Sequence, residues 1–401
     1  MLAGGHWAIL GQLLFNIGEK ASMPDLKNRL AAMLLLFLLA FSLFAGCSPP
    51  PQIMGIDNPD LTAASVHDVT RQRIFIATTR GPSEEPGVLY GPDRSLALLL
   101  ASVDVTIPPN HVEGQLERPQ QLPPDPRKDF TVTNPVTYAS DKDVVVEIRR
   151  ELEKRPREDR KLLLFVHGFN NTSSDATLRL AQFVEDTGFE GVPILFTWAS
   201  AATASRYVYD LNSTLVAREK VKEIADIMVR SKPESADVFA HSMGAFLTME
   251  GLVDLQQADT LGRRGEIDNI MLAAPDIDLD VFRTQLRQLS PEIRKKMYVL
   301  VSKDDKALRL SSRIAGGVPR VGVADTDELE ALGVTVIDLS EIDDSASGSH
   351  SKFAGSPEVV QLIGLGLNSG HKFGQDNTPA IQKILSTSPI QIFGNGVNLF
   401  N

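Results

Sequence analysis

The sequence predicts an α/β architecture, a mostly parallel, eight-stranded sheet with helices on both faces. Three observations lead there. After a β-only start, short apolar runs of strand length alternate with segments of helical period. Residues 162–166 are an unbroken apolar run, the pattern of a strand buried on both faces, and they lead directly into His167-Gly168. Ser242 stands between the strand-like Asp237-Val238-Phe239 and a helical pattern beginning at Met243, with Ala240 and Gly244 two positions to either side.

Residues 73–77 and 98–107 read as strands with no helix between them, so the sheet begins antiparallel. Residues 108–129, with Pro119, Pro123, Pro124 and Pro126, are expected to form a long irregular excursion over the surface. Further strands are expected at 162–166, 192–198, 237–240, 267–274, 297–302 and 334–339. Helical period marks 176–187, 211–230, 243–255 and 279–289, then a mixed region after Asp305 and a last helix at 357–364. The folded domain is therefore placed at 67–367, and the weakly periodic stretch 368–401 is expected to be a partly disordered tail.

Residues 1–46 carry a different signal. Lys27 and Arg29 precede an apolar run over 30–44 that ends in Ala45-Gly46-Cys47, the basic, apolar, small order of a secretory signal. That ending resembles a bacterial lipobox, whose cysteine is lipidated and becomes the new N-terminus, although Phe44 stands where leucine is commonest. Cys47 is the single cysteine, which suits attachment and excludes an internal disulfide. An uncleaved signal anchor is the alternative, since the run with its flanks just spans a thin bilayer. Met23 is an alternative start. Residues 47–66 read as a tether, and Ser48 suits sorting to an outer membrane, facing the periplasm. A net charge of −11 argues against nucleic acid and against electrostatic binding to anionic lipid, so membrane attachment is expected through acyl chains.

A serine at a strand-to-helix turn with small residues around it has the arrangement of a nucleophile elbow, which strains the serine backbone and lifts its hydroxyl above the sheet edge. The His167-Gly168 turn is where such a site builds an oxyanion hole, and the amides of Phe169 and Met243 are expected to converge on one developing negative charge. The alternative is a serine at an ordinary βα turn.

Together with Phe196-Thr197-Trp198-Ala199-Ser200, Ala273-Ala274-Pro275-Asp276-Ile277-Asp278 and Ser302-Lys303-Asp304-Asp305-Lys306-Ala307-Leu308, these motifs resemble the α/β-hydrolases, and within them an uncharacterised bacterial esterase/lipase-like family. The similarity spans residues 70–365, nearly the whole folded part. It implies a triad in the chain order serine, acid, histidine. It places the acid at Asp305, ahead of Lys306-Ala307-Leu308, with Asp304 as the fallback. Aspartates here also serve as helix caps, the role to which Asp276 and Asp278 are assigned ahead of a displaced acid. Among seven histidines, His350 lies in the loop after the eighth predicted strand, where this fold takes its base, and His371 is the second candidate. His6 belongs to the leader, and His67 and His111 precede the core. His167 belongs to the oxyanion turn, and the His241 side chain is expected to point away from the serine's side.

The expected chemistry is serine hydrolysis, most simply of a carboxylic ester, through an acyl-enzyme. No cofactor or metal is expected: no Cys/His cluster has zinc-like spacing, and no Gly-x-Gly-x-x-Gly opens a helix after the first strand. The triad does not separate esters from amides or thioesters. Without a large insertion between the sixth and seventh predicted strands, a short acyl ester suits the chain better than a long-chain triglyceride. Residues 198–210 either flank the pocket or form a structural loop in which Asp210 or Asn212 caps a helix. The rival class is a non-catalytic lipoprotein that keeps the fold as a binding or scaffolding module.

Overall fold

A computed structural model of the chain describes residues 57–261, 267–344, 348–368 and 379–394. Cys47, the leader, the first part of the tether, His6 and His371 lie outside the described residues.

The strands are β1 (Thr70–Pro82), β2 (Tyr90–Ile107), β3 (Thr131–Tyr138), β4 (Lys161–Val166), β5 (Val192–Thr197), β6 (Ser235–His241), β7 (Ile267–Ala273), β8 (Met297–Val301), β9 (Thr335–Asp338) and β10 (Gln391–Phe393). They form one 10-stranded sheet in the order β10-β9-β8-β7-β6-β4-β5-β1-β2-β3. From β9 across to β1 every pairing is parallel, while β1–β2, β2–β3 and β9–β10 are antiparallel. The fold class is the expected one, but the eight predicted strands become ten among the described residues. The two additional strands sit at opposite edges. β3 carries Asn134-Pro135 in its middle, with Asn134 at φ 50 and a register shift against β2, so turn-forming residues mask it. β10 is three residues long, too short for any periodicity.

The helices are α1 (Asp141–Glu153), α2 (Ser173–Thr187), α3 (Tyr207–Arg218), α4 (Val221–Arg230), α5 (Met243–Gln257), α6 (Leu279–Gln288), α7 (Pro291–Arg294), α8 (Lys306–Ile314), α9 (Thr326–Glu330), α10 (Lys352–Gly355), α11 (Pro357–Asn368) and α12 (Pro379–Thr387). The single helix expected over 211–230 is two, because the chain turns at Lys220, whose amide bonds back to Ala217 O. α1 was absent from the expected helices; it buries Val144, Val145, Ile148 and Leu152, and Ser140 caps its start.

Alternation along the central strands sorts side chains into two cores. Leu162, Leu164 and Val166 of β4 meet Ile194, Val238 and Leu272 on the face covered by α1, α4, α5 and α6. Leu163 and Phe165 meet Leu195, Phe239 and Met271 on the other face, covered by α2, α10 and α11. There Phe165, Phe183, Phe239 and Phe353 pack ring to ring, with centroids 4.5–6.4 Å apart. This stack packs α10 against the C-terminal half of β6. Among the described residues no helix is long and apolar enough to cross a membrane.

The proline-rich excursion is fastened to α2. His111 Nδ1 lies 2.7 Å from Glu117 Oε2 and its Nε2 2.7 Å from Asp186 Oδ1, while Gly114 N donates to the other Asp186 oxygen at 3.0 Å. Burial opposes charge on this ring, but the bonds to Asp186 and Glu117 outweigh it and lift its pKa to about 9. A base raised on folding stabilises the fold fully below its unfolded pKa of about 6.5 and loses that contribution as pH rises through the folded value. Stability is therefore expected to fall between pH 6.5 and about 9, and His111→Gln to flatten that slope in denaturant titrations at several pH values.

Candidate active site

β6 ends at His241, and α5 begins at Met243, leaving Ser242 alone to turn the chain. Its backbone sits at φ 54, ψ −120, a sparsely populated region for a side-chain-bearing residue. The turn persists because its surroundings fix both ends: Ser242 N donates to Ala273 O at 2.9 Å, and Asp276 N donates to Ser242 O at 3.2 Å. Glycine at 244 is a steric requirement. A Cβ there would lie 2.3 Å from His167 O and 2.6 Å from Val166 O. Gly168 is equally confined, since its Cβ would lie 2.8 Å from His241 Nδ1 and 2.9 Å from Ser242 Cβ.

Three side chains from three loops meet over this turn. Ser242 Oγ is 3.0 Å from His350 Nε2, and His350 Nδ1 is 2.7 Å from Asp305 Oδ2. Asp305 is fully buried, and its second oxygen accepts from Leu308 N at 2.9 Å, the N-cap bond of α8. The two roles open to an aspartate at this place, cap and histidine partner, are thus filled by one carboxylate. The fallback acid, Asp304, faces elsewhere: it accepts from Ser349 Oγ at 2.6 Å, from Lys352 Nζ at 2.9 Å and from Ser302. Burial disfavours its charge, yet those three donors hold its pKa below the usual carboxylate value.

The remaining candidates fall outside this cluster. Asp278 caps α6 by accepting from Asp280 N at 3.0 Å and Val281 N at 3.3 Å. Asp276 accepts from Tyr207 Oη at 2.9 Å and Ser311 Oγ at 2.6 Å, with Arg320 Nε 3.3 Å away, so it ties α3 to α8 beside the site. His241 has a supporting position that its sequence place does not reveal. The carbonyl of His350 can only accept, so His241 Nε2–H donates to it at 3.0 Å, and the His241 ring packs 4.7 Å from Phe353. Burial, then the neighbouring His350, pushes its pKa well below the ordinary value.

Met243 N is in the first turn of α5, where an amide has no intrahelical acceptor. The Phe169 amide makes no backbone hydrogen bond among the described residues. Behind Phe169 lies a network that the sequence did not announce. Arg80 of β1 is 1 % exposed; its Nε donates to Thr197 Oγ1 at 2.8 Å, Nη1 to Ser200 O at 3.0 Å and Nη2 to Asn171 O at 2.6 Å. Burial lowers the pKa of this guanidinium to about 9. His167 Nε2 lies 3.0 Å from Thr197 Oγ1, and its ring stacks on Trp198 at 5.0 Å. Burial, followed by the Arg80 charge, lowers the His167 pKa to about 3, so the ring is neutral. Nothing local marks Arg80, because its partners at Asn171, Thr197 and Ser200 are 91 to 120 positions away.

Residues 198–210 turn out to brace the site. Trp198 Nε1 donates to His167 O at 2.8 Å, and buried Asp210 accepts from Ser200 Oγ at 2.5 Å and Ala201 N at 2.7 Å. Neither Asp210 nor Asn212 caps α3, which starts at Tyr207 without a side-chain cap. Tyr207 packs edge-on against Phe169 at 5.4 Å. Ser242 is only 2 % exposed. An apolar cavity of about 690 Å³ lies between the sheet and helices α4 and α5, and none of Ser242, Asp305 or His350 lines it. Among the described residues no group of three or more His, Cys, Asp or Glu is arranged to hold a metal ion.

Three solved structures illustrate how far the likeness to known proteins extends. An esterase from the archaeon Pyrobaculum calidifontis is 11 % identical, with 76 % of this chain and 86 % of that chain covered at a TM-score of 0.35. Carboxyl esterase 2 from Tuber melanosporum is 11 % identical, with 83 % and 97 % covered at 0.35. An esterase from Rhizomucor miehei is 11 % identical, with 82 % and 87 % covered at 0.33. No protein of curated function matches significantly. The family model described as "Alpha/beta hydrolase of unknown function (DUF900)" matches residues 141–365, more than half of the chain, and the protein belongs to that family.

Proposed function

We propose that this hydrolase is a serine enzyme of the bacterial cell envelope that cleaves short acyl esters through an acyl-enzyme. The observation that carries the proposal is the hydrogen-bonded series Ser242 Oγ, His350 and Asp305 at a strained turn. A neutral His350 with its hydrogen on Nδ1, donated to Asp305, leaves Nε2 free to accept the Ser242 proton. As Oγ attacks the substrate carbonyl carbon, that proton passes to Nε2, and the carbonyl oxygen takes on the negative charge. The amides of Phe169 and Met243 receive that charge, each contributing roughly 3 kcal/mol of transition-state stabilisation. Asp305 stabilises the imidazolium. The proton then goes to the leaving alcohol oxygen as the C–O bond breaks, leaving Ser242 acylated. Water repeats the sequence, with His350 again the base, and releases the acid.

The near-complete burial of Ser242 favours a slim acyl group. With Cys47 lipidated, the domain is tethered to a membrane by acyl chains, each buried CH₂ contributing about 0.8 kcal/mol. One experiment tests both parts. The full chain is produced in a Gram-negative host, the cells are treated with a fluorophosphonate probe, and the adduct is mapped by mass spectrometry after fractionation. The expected result is phosphonylation of Ser242 in the membrane fraction. Folded protein without an adduct overturns the hydrolase in favour of a binding module, and an adduct confined to the soluble fraction overturns the anchor.

A further inference from the structure

The carbonyl of Gly168 is gripped by two side chains: His167 Nδ1 lies 2.8 Å away and Asn171 Nδ2 3.2 Å away. A carbonyl only accepts, so His167 carries its hydrogen on Nδ1. The neutral ring then has a bare Nε2, which accepts from the hydroxyl of Thr197 at 3.0 Å. That hydroxyl oxygen in turn accepts from Arg80 Nε at 2.8 Å, and a guanidinium N–H only donates. Every hydrogen in the series has one consistent place, set at one end by Arg80 and at the other by the Gly168 carbonyl. The far side of Arg80 closes the loop, because Nη2 holds Asn171 O at 2.6 Å. Asn171 Nδ2 also reaches Phe169 O at 2.8 Å, so both carbonyls flanking the Phe169 amide are occupied.

A trans peptide is planar, with its N–H directed opposite to its C=O. The peptide that carries the Gly168 carbonyl also carries the Phe169 amide. Fixing the carbonyl on the inner side therefore fixes the amide on the outer side. We propose that Arg80, Thr197, His167 and Asn171 are positioning residues whose shared task is to aim the Phe169 N–H at the developing oxyanion. This rests on the serine hydrolase reading of Ser242. It assigns a functional reason to a fully buried arginine on a strand that contributes nothing to the triad. A misaimed oxyanion donor acts in the transition state alone, so its loss lowers kcat and leaves KM in place.

The test compares Thr197→Val with Thr197→Ser, using p-nitrophenyl acetate as substrate and the full chain as the enzyme. Valine keeps the shape of threonine but deprives Arg80 Nε of its acceptor and His167 Nε2 of its donor, whereas serine keeps both bonds. Asn171→Ala is the companion variant, since Asn171 is half-buried and its removal takes away one of the two donors to the same carbonyl without opening the core. The expected result is a fall in kcat of about 100-fold for Thr197→Val, the scale of losing one oxyanion donor, with KM within twofold. Thr197→Ser is expected within threefold of wild type, and Asn171→Ala to lower kcat at unchanged KM. An active wild type with kcat unchanged in both Thr197→Val and Asn171→Ala overturns the relay alone. Equal losses in the valine and serine variants also overturn it, since the hydroxyl is then not what matters. A folded wild type that neither hydrolyses the ester nor takes up fluorophosphonate removes the hydrolase reading, and the relay falls with it.

Discussion

Replacing Asp305 by asparagine is expected to lower kcat about 10⁴-fold, while Asp304→Asn changes it less than tenfold. Asparagine keeps the size of the side chain, and its carbonyl oxygen can still accept from Leu308 N, so the start of α8 survives. What changes is the atom facing His350 Nδ1, now an amide donor 2.7 Å away in place of a carboxylate oxygen. The ring answers by moving its hydrogen to Nε2, and a protonated Nε2 cannot take the Ser242 proton. Asp304→Asn leaves the ring alone. It weakens the grip on Lys352, which still has Leu339 O at 2.9 Å and Ser340 O at 3.3 Å, so the loss is one of stability more than of rate. Steady-state kinetics on a p-nitrophenyl ester, with a thermal melt of each variant, separates the two. A loss in Asp304→Asn equal to that in Asp305→Asn would move the acid to the neighbouring residue.

Gly244→Ala is expected to destabilise the fold by about 3–5 kcal/mol and to abolish labelling of Ser242. The added Cβ meets His167 O at 2.3 Å and Val166 O at 2.6 Å, both main-chain atoms of the central strand end. Neither can yield: β4 is paired on both sides, and His167 O already accepts from Trp198 Nε1. α5 must then lift away from the sheet, taking with it the residue that sets the serine's direction. Gly316→Ala is the comparison, since its Cβ meets nothing within 4 Å although φ is +96, and only a left-handed backbone penalty of about 1–2 kcal/mol applies. Urea unfolding of the two variants measures the difference. Equal losses would mean that a small shift absorbs the added methyl at 244 and that clearance there is not required.

The parts of this molecule that were legible in the sequence are those governed by short-range pattern. Each of the eight expected strands is an apolar run long enough to register, and the parallel ones are buried on both faces. Ser242 and the His167-Gly168 turn were legible because crowding, by side chains at 168 and by main chain at 244, restricts residue type at both positions. The edges were not. β3 carries its bulge on an asparagine-proline pair, and β10 is three residues pinned only by β9. α1 was readable after the fact, from Val144, Ile148 and Leu152 at i, i+4 and i+8, but its charged neighbours hide the stripe. The choice between Asp304 and Asp305 came from resemblance, since adjacent carboxylates have no local signature that says which one turns inward. Arg80 and His241 were beyond reach for another reason. Their partners are long-range in sequence and include main-chain carbonyls, which no residue pattern encodes.

The double duty of Asp305 reaches beyond the proposed reaction. One oxygen of this carboxylate holds His350 and the other closes the first turn of α8. That turn cannot fray without letting the acid swing, and the acid cannot swing without uncapping the helix. The amide hydrogen of Leu308 is therefore a clock on the candidate active site. Its exchange with solvent deuterium measures how often the competent arrangement comes apart, in the resting protein and with no substrate present.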